Sequence, residues 1–267
     1  MKLCFSTLGC TELSLDEILI LARAFDIHAL EIRGIGGVMD NRKIAALSPE
    51  NAPRTSELLA QNRVRPQVLG TSCAFHDSAK TAAAIEEGKA SIDIAARLGI
   101  PYIRVFGNKL VGEGEAERAT CTARVAAGIA EVCDYAAGTP VSVLLEVHGD
   151  YNTIETLSPI LAALGVRSNF GLIWDIAHTR AYGVDWQVFY REMKPYIRHV
   201  HIKDASLETG KLTLLGEGDL PIVPITRALL ADGFDGYFSL EWERKWHPEL
   251  PDLSVALERF TEIMGTV

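Results

Sequence analysis

Eight short apolar runs, spread from one end of the chain to the other and separated by helical windows, constrain this sequence more than any other feature. The runs are LCFST (3–7), ALEI (29–32), RPQVL (65–69), YIRVF (102–106), VSVLLEV (141–147), FGLIW (170–174), HVHIK (199–203) and YFSLE (237–241). Most lack strict polar–apolar alternation, as strands covered on both faces do. Helical periodicity fills the windows 15–25, 49–60, 80–98, 116–137, 153–164, 186–196, 223–232 and 253–264. The first opens on Ser14-x-x-Glu17, a capping box that satisfies orphan amides at a helix start. Strands alternating with helices imply βαβ units, and eight such units predict an α/β fold, a closed (β/α)8 barrel rather than an open doubly wound sheet.

A length of 267 residues suits one such barrel, and 48% hydrophobic residues can fill a large core. No Pro/Gly/Ser-rich linker, low-complexity segment or composition shift marks a second domain, so residues 1–267 are expected to form one domain. A net charge of −9 argues against nucleic acid as a partner, because phosphate binding rests on clustered Lys and Arg. No apolar run approaches the roughly 20 residues that span a bilayer, and the N-terminal stretch does not read as a signal peptide. The five cysteines lack CxxC spacing; Cys4, Cys73, Cys121 and Cys133 sit among apolar residues and read as reduced core side chains. A cytoplasmic location is expected, and a homodimer is the default expectation for a soluble enzyme.

In a (β/α)8 barrel the chemistry sits where the strands end. Glu31 and Arg33 end the second strand, and His76 follows the third. Glu146 and His148 end the fifth, and Asp175 and His178 follow the sixth. His199, His201, Lys203 and Asp204 lie on or just past the seventh; Glu241 and Glu243 end the eighth, with His247 soon after. Four successive strands thus finish in a carboxylate or an imidazole, which closure would aim into one pocket. Oxygen and nitrogen donors without thiolate suit manganese, magnesium, cobalt or zinc, and Glu146, Asp175, His201 and Glu241 are the expected ligands of one divalent ion. Of His199 and His201, one is expected to face the lumen and the other to pack under the helices. Lys203 is expected either to pair with Asp204 or to face a developing oxyanion, Glu31 and Arg33 to pair with each other or face substrate, and Arg244–Lys245 to be a solvated charge run. GIGG (34–37) reads as a turn, with anion binding by its amides as the other reading. No GxxxxGK[ST], GxGxxG or GxSxG motif is present.

LEVHG (145–149), WDIAH (174–178), HVHIKD (199–204), GEGDLP (216–221) and SLEWERKWHPEL (239–250) together resemble the xylose isomerase-like TIM barrel superfamily, and within it the sugar phosphate isomerase/epimerase proteins. The resemblance covers the full chain. It implies one divalent metal on Glu146, Asp175, His201 and Glu241, with His178 touching substrate. It implies also that Glu146 and Glu241 exchange a proton with carbon, as the two metal-holding glutamates of epimerase relatives do on opposite faces of their substrate. His148, His76, Lys203, Glu243, His247 and Arg33 are the further candidates for binding a small carbohydrate. Relatives include ketose 3-epimerases, hydroxypyruvate isomerases, inosose dehydratases and endonucleases of abasic DNA. The loop ASLETGKLTLLGEGD lacks the further DxH pair of the endonuclease branch. The expected function is therefore isomerisation or epimerisation of a small ketose or sugar phosphate through an enediolate. The alternatives are an inosose dehydratase-like lyase and a non-catalytic sugar-binding relative.

Overall fold

The computed structural model of the chain describes residues 1–181 and 183–267. Eight parallel strands close into a barrel in the order β1-β10-β7-β6-β5-β4-β3-β2. They are β1 (Lys2–Ser6), β2 (Ala29–Ile32), β3 (Arg65–Ala74), β4 (Tyr102–Phe106), β5 (Ser142–Glu146), β6 (Phe170–Asp175), β7 (Ile197–Ile202) and β10 (Tyr237–Leu240). A two-stranded antiparallel pair, β8 (Asp204–Ala205) and β9 (Leu212–Thr213), stands apart from them. The helices are α1 (Leu15–Ala24), α2 (Ala52–Gln61), α3 (Thr81–Leu98), α4 (Glu115–Ala136), α5 (Ile154–Leu164), α6 (Ile176–Ala181), α7 (Trp186–Met193), α8 (Ile222–Ala231) and α9 (Leu253–Met264). All eight predicted strands and all eight predicted helical windows are present.

The differences have local causes. Helix α1 starts on the expected capping box, with Ser14 and Glu17 bonded reciprocally. Helix α7 stops at Met193, with Lys194 still helical at its C-cap, because Pro195 has no backbone N–H to continue the ladder. Helix α2 starts late, at Ala52, with a proline in its first turn and two 3-10 turns ahead of it. Strand β3 runs five residues past its predicted end, and its register against β4 shifts between Gly70 and Ala74. Helix α6 has only six residues, too few to show periodicity in sequence.

Two compact units divide the chain: Met1–Gln67 with His199–Val267, and Val68–Arg198. In the first, β1 pairs with both β2 and β10, setting Ser6 beside Glu31 and, on β10, Ser239 beside His201 of β7. In the second, Val68, Leu144 and Ile173 cluster with Tyr102 against them. One step further along the same strand faces come Arg104, Glu146 and Asp175, since residues two apart share a face. The apolar layer thus supports the polar one. Outside the strands, α4 lies close on Phe75: a Cβ at Gly128 would stand 2.5 Å from the Phe75 ring.

All five cysteines are buried thiols outside any disulfide. Burial pushes the Cys10 and Cys133 thiols up to about 12, so neither is a ready nucleophile. Among the described residues, no helix is long and apolar enough to cross a membrane.

Candidate functional site

In the second unit the site begins with Glu146, the last residue of β5, which is 1% exposed. Register places it opposite Phe106 on β4, so Arg104, two residues earlier, reaches it. The Arg104 guanidinium lies 3.0 Å from Glu146 Oε2, donates to the Thr71 carbonyl at 3.2 Å, and stacks over the Phe106 ring at 4.4 Å. Two charges this deep are tolerable only when paired, as these are, and the guanidinium is held further by the Thr71 carbonyl. Arg104 is absent from the sequence-derived site. Its signal was a single arginine inside the otherwise apolar YIRVF run.

His148 follows on a turn closed by its bridge to Tyr151. Gly149, at φ +62°, passes so near the Asn108 carbonyl that a side chain there would overlap it. Asp175 ends β6 fully buried, and its Oδ1 accepts the His178 N–H at 3.0 Å, starting α6. Trp174 ties that helix down by donating to Thr179 Oγ1 at 3.0 Å while stacking parallel to Tyr190. The His148 and His178 rings consequently meet edge to face, centroids 4.2 Å apart. Glu146, His148 and His178 form one group of side chains able to hold a metal.

In the first unit Glu241 follows β10, and its Oε2 accepts from Lys203 at 2.8 Å. Lys203 is 2% exposed and also pairs with Glu243. The expectation of a Lys203–Asp204 pair is not met. Successive residues of an extended chain point oppositely, and Asp204 instead accepts the backbone N–H groups of Ala205, Gly216, Gly218 and Leu220. It thereby folds the GEGDLP loop.

The expectation that His199 and His201 divide between two faces is overturned. They are two residues apart on β7, hence on one face, and both are buried. Both rings turn to one oxygen, Glu31 Oε2, at 3.3 Å from His199 Nε2 and 2.9 Å from His201 Nε2. Burial would raise the Glu31 carboxyl, but His201 and His199 hold it well below the usual carboxylate range. Burial lowers His199, outweighing the opposing pull of Glu31, which favours a neutral ring beside an ionised acid. Glu31, His199 and His201 form a second group able to hold a metal.

The remaining candidates are more peripheral. Arg33, 7% exposed, donates to the Met39 carbonyl at 3.2 Å, while its own N–H bonds Thr7 Oγ1. His76 is half-buried, and burial lowers its pKa, with Asp77 opposing. His247 is exposed, bonds Glu249 at 3.3 Å, and stands 4.0 Å from Glu243. Arg244 is not a free surface charge: it pairs with Glu12 and Asp252. The amides of Gly36 and Gly37 are taken by the Leu13 and Thr11 carbonyls, leaving GIGG as a turn.

Known proteins resemble this chain in sequence or fold. Fructoselysine 3-epimerases of Escherichia coli and Shigella flexneri are each 26% identical to the chain over 148 residues, 53% of it and 53% of theirs. The chain thus spans about half the length of the curated relatives it matches. The probable 3-DHS dehydratase of Bacillus anthracis superimposes with a TM-score of 0.81 at 19% identity, covering 99% of both chains. A D-tagatose 3-epimerase-like protein gives 0.79 at 20% identity, covering 100% of this chain and 98% of its own. The IOLI protein, solved with a binding zinc atom, gives 0.77 at 23%, covering 98% and 97%. At such identities these structures establish the fold alone. The model of the xylose isomerase-like TIM barrel family matches residues 24–262, and the chain belongs to that family.

Proposed function

We propose that the chain is a divalent-metal-dependent isomerase or epimerase of a small ketose or sugar phosphate, working through an enediolate. Glu146, Asp175, His201 and Glu241 are the proposed ligands of one ion. Their chemistry supports this: three carboxylates and one imidazole, all buried and without thiolate, are a donor set for manganese, magnesium, cobalt or zinc. With Glu243, which shares Lys203, the carboxylates number four; Arg104 and Lys203 offset two of their charges, and a dication complements the two that are left.

The observation that carries the reading is the matched pair of glutamates. Glu146 and Glu241 each stand buried at or just past a strand end, and each is clamped by a buried cation of its own unit. In the proposed reaction one of them takes the proton from the carbon beside the substrate carbonyl, and the other returns a proton to it. When bound, the ion polarises that carbonyl and stabilises the negative charge left on the substrate oxygens. Arg104 and Lys203 keep the two carboxylates oriented through the cycle. His148 and His178, braced ring to ring, are the proposed holders of a substrate hydroxyl. Lys203, Glu243, His247, Arg33 and His76 complete the proposed contacts to a small carbohydrate. The 3-epimerase activity named for the curated relatives favours epimerisation at carbon 3 of a ketose.

A lyase reading shares the first step and differs in expelling a hydroxyl afterwards. The His148–His178 pair favours keeping it in view, since loss of hydroxide needs a proton donor beside it. The test is solvent-deuterium uptake by the metal-loaded protein over ketoses, ketose phosphates and inososes. Label at the carbon beside the carbonyl, with mass otherwise unchanged, is the expected result. Label with loss of water selects the lyase, and no label with any member of the panel contradicts both.

A further inference from the structure

The proposed reaction leaves one deeply buried acid without a task. Glu31, fully buried on β2, is neither a proposed ligand nor a proposed proton carrier. Its Oε2 nevertheless draws His201 Nε2 to 2.9 Å and His199 Nε2 to 3.3 Å, with Ser239 Oγ at 3.5 Å. Both His201 nitrogens face a carboxylate, but a neutral imidazole carries one N–H, and it sits on the nitrogen with the shorter, hydrogen-bonded contact, 2.9 Å against 3.4 Å. For His201 that nitrogen is Nε2. Nδ1 is then a lone pair, and it stands 3.4 Å from Glu241 Oε1. Two acceptors turned toward each other at this distance repel, unless a cation lies against both.

We infer that Glu31 is a positioning residue for the metal: it fixes His201 in the Nε2–H tautomer and turns Nδ1 toward the ion. The inference rests on His201 being a ligand, as proposed above. His199 and Ser239 hold the acid in turn. The His199 ring stands nearly perpendicular to that of His201, centroids 5.6 Å apart, and both approach the same carboxylate oxygen. Rotation of Glu31 would forfeit both contacts. A metal-bound histidine whose second nitrogen is held by a carboxylate gains basicity and a fixed ring plane, and losing the carboxylate costs about 10- to 100-fold in metal affinity.

The test pairs two readouts, neither of which is turnover. In metal-free protein labelled with 15N-histidine, the His201 ring is assigned by loss of its signals in His201→Ala. It is expected as the Nε2–H tautomer, and in Glu31→Gln this preference is expected to vanish, because an amide can donate as well as accept. Calorimetric titration with manganese or zinc is expected to give one ion per chain, bound roughly 10- to 100-fold more weakly by Glu31→Gln. Glu31→Asp, which keeps an acceptor further away, should fall between. Circular dichroism checks that the variants fold, and the wild-type tautomer needs no variant of Glu31 at all. An Nδ1–H tautomer in the wild type, or unchanged metal affinity in Glu31→Gln, would overturn the inference. So would two ions per chain, since Glu31, His199 and His201 would then be a ligand set themselves. If the wild type bound no ion, the proposed ligand set would fall, while the tautomer would still confirm or refute the hold of Glu31 on His201.

Discussion

Replacing Arg104 with methionine separates the two positive charges that Glu146 is proposed to meet. At 3.0 Å the Arg104–Glu146 attraction is about 5 kcal/mol gross for an effective dielectric constant near 20. Removing one partner of a pair this deeply buried costs roughly 3–5 kcal/mol, because the other charge stays buried without it. Methionine fills much of the same volume, so little of the loss is cavity. A bound dication changes the balance, since it supplies Glu146 with positive charge. The cost should then shrink to about 1–2 kcal/mol, the share of the Thr71 hydrogen bond and the Phe106 stacking. Closing the thermodynamic cycle, a difference of about 2–3 kcal/mol means that Arg104→Met binds the ion roughly 30- to 150-fold more tightly than the wild type. Urea unfolding of both proteins, with chelator and with saturating manganese, measures all four sides. Equal destabilisation with and without metal would show that Glu146 does not face the ion.

Metal analysis of Asp175→Asn and His201→Ala should show sharply reduced content, whereas full content in both would mean that other residues hold the ion. Residues 1–267 are expected to unfold as one domain. Calorimetry should show a single transition with matching van't Hoff enthalpy, coincident with the fluorescence change of Trp174 and Trp242, one buried in each unit, and two transitions would contradict this. Hydrogen bonds from Arg42, opposed by slight burial, lower Asp40 from 3.8 to about 2. Its contribution, on the order of 1 kcal/mol after screening, is complete above the unfolded value of 3.8 and lost as pH falls through about 2. An NMR titration of its carboxyl carbon should show that depressed midpoint, and a midpoint at 3.8 would contradict it.

The barrel was legible because a buried parallel strand must be apolar on both faces, and LCFST, VSVLLEV and FGLIW meet that demand within a few residues. Capping chemistry was legible at Ser14, whose hydroxyl accepts an amide at the helix start, whereas the same role of Thr153 emerged only from the structure. What stayed hidden depended on partners distant in sequence. Glu31 reads as a strand residue near Arg33 until the fold brings in His199 and His201, some 170 positions away. Arg104 reads as an interruption until register sets it one step below Glu146. Lys203 could have paired with Asp204 or faced a developing oxyanion, and only the amides gathered by Asp204 leave it to Glu241 and Glu243. The division of His199 from His201 failed on geometry that the sequence did contain, since a spacing of two keeps one face.

Proton exchange by Glu146 and Glu241 is tested most directly by mass spectrometry of product formed in deuterated water. The comparison is between the wild type and the Glu146→Gln and Glu241→Gln variants, with metal content measured in each sample. The wild type should place one deuterium at the carbon beside the carbonyl in each product molecule. Each variant that still carries its ion should lose net epimerisation, and one that keeps exchange without turnover would identify the glutamate serving the substrate's own proton. Retention of the substrate's hydrogen through complete turnover, with no solvent label, would contradict the enediolate and require a hydride shift in its place.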